Sequence, residues 1–362
     1  MLKARKSSQL LGVFLLFELL AFPFASAQAR EPEDIWRELE KLPAKERQKR
    51  LLEGAKTEGK VVFYGNLSAD NLEKVRVEFE TRYPVKLEGW RASGEKTSNR
   101  ALTEARAGKF LADVIAPSNE HVPALLRANV VGRYNSPERA FYPDSHKDRS
   151  GYWTGYDYNV AVIAYNTKLV PAAEAPRRYE DFLDSKWKGS FAMDMDSDKT
   201  LMGWLKTWGP EKTKKFLQAL AKNDVVVRKG HTLIAQLLCA GEFKTALDLY
   251  AYRVADLKHT KGCPVEIVYS DPTPGTSSPL AVAKAAPHPY GAALLMDYLL
   301  SAPGQRVLAE FGRLSPRRDV RPKYPELDFD GKGVRLLLLT PEDADRWGKD
   351  YQQLREEFLL RP

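Results

Sequence analysis

Apolar and polar positions in residues 59–84 follow two different rhythms, and the change between them predicts a strand, a loop and a helix. Val61, Val62, Phe63 and Tyr64 form a nearly continuous apolar run, the pattern of a strand buried on both faces. Gly65 and Asn66 interrupt it. Asp70, with Glu73 three residues on, has the spacing of a helix-opening capping pair. Leu72, Val75, Phe79 and Tyr83 then recur at helical spacing, which predicts one β-loop-α unit with its apolar face on a sheet. Ligands in open α/β sheets sit beyond the carboxyl ends of strands. The loop from Gly65 to Asp70, carrying Asn66 and Ser68, is therefore the first candidate contact, although an ordinary βα turn has the same pattern.

The same rhythms continue on both sides. Glu31 to Lys56 predicts a charged helical lead-in, with Ile35, Trp36, Leu39 and Leu42 as a partial apolar stripe. Strands are expected at Val85–Arg91 and Leu111–Ala116, with a helix through Leu102 and Ala105 between them. Another helix is expected over Asn119–Asn129, with His121 and Pro123 in its first turn. Strands alternating with helices at this spacing imply a parallel sheet with crossover helices. The texture changes at Gly151, where GYWTGYDYNVAVIAYN is aromatic and then alternates toward a long crossing strand. Beyond it we expect a short helix at Arg177–Asp184, a strand at Lys188–Met195, and a helical stretch Thr200–Asn223 broken at Gly209-Pro210. A strand Val225–Lys229, a helix Thr232–Ala240, and strands Ala246–Val254 and Val265–Tyr269 follow. Asp271 to Pro279 has linker composition. Leu280–Lys284 is strand-like, Gly291–Leu300 and Gly304–Phe311 are apolar-faced helices, and Thr340 with Asp343 caps a terminal helix.

Composition narrows the class. The chain has 362 residues, 43% hydrophobic and 29% charged, enough for two α/β lobes with separate cores. The basic start (Lys3, Arg5, Lys6), the apolar run Leu10–Phe24 and the small residues Ala25-Ser26-Ala27 predict a cleaved export signal over residues 1–27. Ala27-Gln28-Ala29 is a rival cleavage site. Glu18 interrupts the apolar run and argues against a membrane-spanning helix. The net charge of +8 comes from scattered Lys and Arg, which argues against nucleic-acid binding. Cys239 and Cys263 would meet an oxidising compartment after export; spacing alone leaves open a disulfide or two unrelated thiols.

The order of several short blocks resembles the class II solute-binding proteins of bacterial ABC importers, especially the branch that includes ferric-ion binders. These blocks are Gly54–Lys60, Ala112-Asp113-Val114, Gly151–Gly155 with Tyr165-Asn166, Asp181-Phe182-Leu183, Lys186–Gly189, Ala240-Gly241-Glu242, and Met296–Ser301 with Gly304-Gln305. The resemblance implies an α/β, two-lobed periplasmic-binding-protein type II fold, with mixed sheets, crossover helices and hinge strands. Its expected divisions are a lead-in at 28–56, lobe one at 57–155, lobe two at 156–274, and a return to lobe one with a C-terminal helix at 275–362. It also implies a periplasmic or secreted monomer that hands its ligand to a membrane permease.

Two ligand chemistries compete. Ferric binders of this branch hold metal with adjacent tyrosines; here Tyr250 and Tyr252 are two apart, on one face if the segment is a strand. The other chemistry is an anionic or polar organic ligand. Arg91, Ser93 and Lys96 follow the second strand, Ser118 follows the third, and Arg228, Lys229 and His231 precede a helix in the corresponding place on lobe two. Arg253 adds a donor beside Tyr252. Tyr152, Trp153, Tyr156 and Tyr158 either line the cleft or pack the hinge. Asp194, Asp196 and Asp198 alternate without the glycine and glutamate of a calcium loop, so a capped turn is expected. His259 and His288 are expected to be exposed. No GxSxG elbow, Walker loop or HExxH motif occurs, so a non-enzyme without cofactor is expected. A secreted α/β hydrolase and a ligand-sensing receptor partner are the alternatives.

Overall fold

The structure is a computed structural model that describes residues 30–360. The expected export signal lies outside these residues. The lead-in forms two helices, α1 (Pro32–Lys41) and α2 (Ala44–Glu58), which bury Trp36, Leu39 and Leu51. The first β-loop-α unit follows as β1 (Lys60–Gly65) and α3 (Ala69–Arg82). Its cap is Ser68, whose Oγ accepts from the Asn71 amide, and not the Asp70/Glu73 pair. Next come β2 (Lys86–Arg91), α4 (Gly94–Arg106), a two-residue β3 (Val114–Ile115), α5 (Val122–Arg127) and β4 (Val131–Gly132). The long β5 (Thr154–Asn166) then crosses the molecule.

The far side is built from β6 (Phe191–Asp194), α6 (Asp198–Trp208), α7 (Pro210–Lys222), β7 (Val226–Arg228), α8 (His231–Ala240), β8 (Thr245–Tyr250), α9 (Ala251–Lys261) and β9 (Val265–Val268). The chain returns through β10 (Thr273–Ala283), α10 (Pro289–Leu300) and α11 (Ala302–Glu310), and ends in β11 (Leu336–Leu339) and α12 (Pro341–Phe358).

The strands run in the order β2-β1-β3-β10-β5-β8-β6-β7. Pairing is parallel within β2-β1-β3 and within β8-β6-β7. In between, β10 runs antiparallel to β3 at one end and to β5 at the other, while β5 passes on to β8 and β9. The two long strands thus carry the chain between two half-sheets. Described residues from Glu31 onward pack as one unit, within which the buried side chains segregate. One cluster covers β1, β3, α3 and α10; two others flank β5, β6 and β8.

Three expectations need correction. The strand expected at Ala246–Val254 ends at Tyr250, because Ala251, Val254 and Ala255 are buried at helical spacing and begin α9. Asp271–Pro279 is mostly the start of β10, not a linker; its small residues allow close approach to β5 and β11, and Pro279 sits at a register shift. Only Val114 and Ile115 of Leu111–Ala116 are strand. The helix stretch over 200–223 does break at Gly209-Pro210, and Thr340 with Asp343 forms a reciprocal capping box. β11 was not expected. Through it α12 reaches α6 and α7, so its buried Ala344, Tyr351 and Leu354 join the far-side cluster.

Candidate functional site

A cleft of about 770 Å³ opens at the carboxyl ends of β1, β3 and β8, across β5 and β10. Ser68 opens α3 on one wall, where Asn66 and Ser118 also lie; α6 and the β8–α9 junction form the other, with Lys199, Tyr250, Tyr252 and Arg253. Asn159 and Thr276 to Pro279 form the floor, and Arg313 and Lys323 reach in after α11.

Six of the expected site residues therefore come together: Asn66, Ser68, Ser118, Tyr250, Tyr252 and Arg253. Five lie outside the lining. Arg91 donates from Nε to the Leu67 carbonyl, 3.0 Å away. Ser93 caps α4 by accepting from the Lys96 amide. Arg228 is exposed and bonds the Val227 carbonyl. Tyr156 is fully buried and supports the wall, its hydroxyl donating to Asn66 Oδ1 at 3.0 Å. That bond turns the Asn66 amide donors away from Tyr156. Trp153 is likewise buried, so these hinge aromatics pack and do not line.

His231, the fifth, lies behind the wall. Its ring stacks on Tyr250 with centroids 4.1 Å apart, and its nitrogens face Asp194 at 3.3 Å and Asp248 at 3.7 Å. Burial pulls the imidazole pKa down, but the hydrogen bond and charge of Asp248, joined by Asp194, hold it above the ordinary value. The Asp194–Asp198 segment is a turn, as expected: Asp194 accepts from the Asp196 amide. His288 is half-buried rather than exposed, with Nδ1 2.8 Å from buried Asp113. His259 stacks on Tyr324 and faces Glu326. Cys239 and Cys263 form a disulfide that ties the end of α8 to the segment after α9.

The electrostatics turn on Lys199, which sequence reasoning missed because DSDKT reads as a surface turn. It is buried, with Nζ 3.0 Å from Asp198 and 3.3 Å from the Tyr250 hydroxyl, and 4.9 Å from that ring. Burial opposes the charge, yet Asp198 and then Tyr250 outweigh it and raise the ammonium pKa. Burial likewise pushes the Tyr250 phenol up to about 12, against the pull of Lys199. Arg313 pairs with buried Asp157, and Arg253 with Asp256 at 3.4 Å. The lining holds four cations (Lys199, Arg253, Arg313, Lys323) and five carboxylates (Asp70, Glu120, Asp198, Asp256, Glu310), so it has no surplus positive charge. The groups at the lining that can donate hydrogen bonds are Lys199, the Asn66 amide, the hydroxyls of Ser68, Thr276, Ser277 and Ser278, and the amino ends of α3, α6 and α9. Asn159 and Thr276–Ser278 were also missed; a polar residue inside an apolar strand was the signal for the first.

Tyr250 and Tyr252 do not alternate along a strand. Tyr250 precedes the first residue of α9 and Tyr252 is inside it, with the rings stacked at 5.9 Å. Among the described residues, no group of three or more His, Cys, Asp and Glu is arranged to hold a metal ion.

The sequence model of the bacterial extracellular solute-binding proteins matches residues 111–328, more than half of the chain, and the chain belongs to that family. Iron-bound HitA from Pseudomonas aeruginosa superposes with a TM-score of 0.73 at 21% identity, covering 83% of this chain and 99% of that one. AfuA from Actinobacillus pleuropneumoniae, with fructose 6-phosphate bound, gives 0.70 at 19% identity, covering 84% and 100%. The Trichodesmium protein FutA, in complex with iron and citrate, gives 0.70 at 18% identity, covering 83% and 99%. At these identities the likeness is one of fold, the periplasmic-binding-protein type II fold.

Proposed function

We propose that this chain is the periplasmic substrate-binding component of an ABC importer and that it captures a small polar organic ligand through an oxyanion. Lys199 carries the reading. A buried ammonium at the cleft wall, positioned by Asp198 and the Tyr250 hydroxyl, offers an oxyanion a charge-assisted hydrogen bond. Asn66 and Ser68 would complete the grip from the opposite wall. Contacts made to both walls only when they approach stabilise the closed form, so binding is a population shift along β5 and β10. The two half-sheets are then two lobes, divided near residues 155 and 275, and α12 packs both on α6 and α7 of the second and on α5 and the turn at 119–121 of the first. An exported chain delivering its ligand to a membrane permease fits the leader-like residues 1–27 and the family. Titration calorimetry with fructose 6-phosphate, citrate and inorganic phosphate tests the reading. Saturable one-to-one binding of at least one of them, weakened by high salt and by Lys199→Met, is the expected result; no binding of any of them sinks it.

Ferric iron is the second reading, favoured by the stacked phenols of Tyr250 and Tyr252 on the cleft wall. The Lys199 ammonium against the Tyr250 hydroxyl opposes it.

A further inference from the structure

We propose that His146 is a positioning residue for the cleft: its Nδ1–H donates to Ser277 Oγ and leaves the Ser277 hydroxyl to donate to a ligand oxygen. The inference rests on the oxyanion reading above.

Ser277 lies on β10 in the cleft floor, and His146 stands directly behind it on a short turn, Asp144–His146. Both are buried, and Nδ1 and Oγ are 2.5 Å apart. The imidazole edge meets the ring of Tyr158, 5.2 Å away, on β5. Gly155 makes this packing possible. A Cβ there would lie 3.0 Å from the Ser277 Cβ and Oγ and 3.2 Å from the His146 carbonyl. A side chain at 155 would require Ser277 or the His146 backbone to give way by a few tenths of an ångström.

The imidazole is a neutral one. Burial alone depresses its pKa to about 4, and among the described residues no carboxylate acts on it to reverse this. A base that weak does not take a proton from a serine hydroxyl near neutral pH, so the pair is not a nucleophile and its base. What remains is a choice of tautomer. With hydrogen on Nε2, Ser277 must spend its one proton on Nδ1 and shows the cleft only lone pairs, beside five carboxylates. With hydrogen on Nδ1, the hydroxyl proton is free to meet an oxyanion. In a cleft whose principal cations are already ion-paired, such a neutral donor at the floor adds selectivity that charge does not supply.

Imidazole nitrogen NMR on the uniformly labelled full chain tests this without a ligand. His146 is expected as the Nδ1–H tautomer, with no titration between about pH 5.5 and 8. The Nε2–H tautomer, or protonation near pH 6.5, overturns it. Affinity for fructose 6-phosphate gives a second arm. Ser277→Ala and His146→Leu should each weaken binding about tenfold, and His146→Asn, whose amide can replace the Nδ1–H donor, should return it to within about threefold of wild type. Binding by His146→Leu equal to wild type, or no better binding by His146→Asn than by His146→Leu, also overturns it. If His146→Leu does not fold, Ser277→Ala and the tautomer decide. If wild-type protein binds none of fructose 6-phosphate, citrate or inorganic phosphate, the oxyanion reading has failed, and the tautomer alone judges the His146–Ser277 bond.

Discussion

Replacing Lys199 with methionine removes one charge from the cleft wall and keeps most of the aliphatic stem. Two costs separate cleanly. For folding, the loss leaves Asp198 without its partner, but the Asp198 side chain is 36% exposed and rehydrates. The Tyr250 hydroxyl loses a donor at 3.3 Å and stays near the cleft. The expected drop in stability is about 1 kcal/mol, in the range of partly exposed pairs and below the cost of orphaning a fully buried charge. For binding, an oxyanion loses a charge-assisted hydrogen bond worth about 1.5–3 kcal/mol, which is roughly a 10- to 150-fold rise in Kd. Calorimetric titration with fructose 6-phosphate, beside a melting curve for each protein, reads both. Lys215→Met is the control: this side chain is exposed on α7, outside the cleft lining, and should change Kd by less than about threefold. A folded Lys199→Met protein that binds within threefold of wild type would refute the role given to this ammonium.

Two histidines should set opposite limits on stability with pH. His146, held neutral with a folded pKa of about 4, lets the unfolded chain bind the extra proton below about pH 6.5; stability should fall by roughly 3 kcal/mol between there and pH 4, less so in His146→Asn. His231 is shifted the other way, so its contribution is complete below about pH 6.5 and is lost as pH rises through the raised folded value. Urea denaturation across pH should show the second loss vanish in His231→Gln; a persisting slope would count against it. Reducing the Cys239–Cys263 bridge, which spans 24 residues, should cost about 3 kcal/mol by the chain-entropy estimate, and an unchanged melting temperature in dithiothreitol would contradict that. Ferric citrate should produce no visible tyrosinate-to-iron charge-transfer band; a band that appears and is lost in Tyr250→Phe would establish the iron reading instead.

The parts of this fold that sequence revealed are those encoded locally. The Val61–Tyr64 run, the break at Gly209-Pro210 and the Thr340/Asp343 box each contain their own chemistry within a few residues, and each formed where expected. The second half of β10, Leu280–Ala283, lies where a strand was expected; its first half does not, because DPTPGTSSP becomes a strand only when β5 and β11 supply its hydrogen-bond partners. The helix after Tyr250 was hidden for a different reason: YAYRV alternates like a strand, while the helical spacing of Ala251, Val254 and Ala255 lies beneath it. The cleft was half legible. Strand-end loops gave Asn66, Ser68 and Ser118, since topology fixes where such loops converge. Arg91 and Arg228 share those strand ends but turn to backbone carbonyls. Lys199 and the His146–Ser277 pair depend on contacts across 51 and 131 residues, which no local pattern records.

Closure on an oxyanion is most directly tested by pulsed dipolar distances between spin labels at Glu73→Cys on α3 and Lys229→Cys after β7, with the native cysteines paired and unreactive. Saturating fructose 6-phosphate or citrate, whichever calorimetry shows to bind, should shorten the distance distribution, and ferric chloride should leave it unchanged. A distribution indifferent to a bound oxyanion, or shortened by ferric ion alone, would contradict the account.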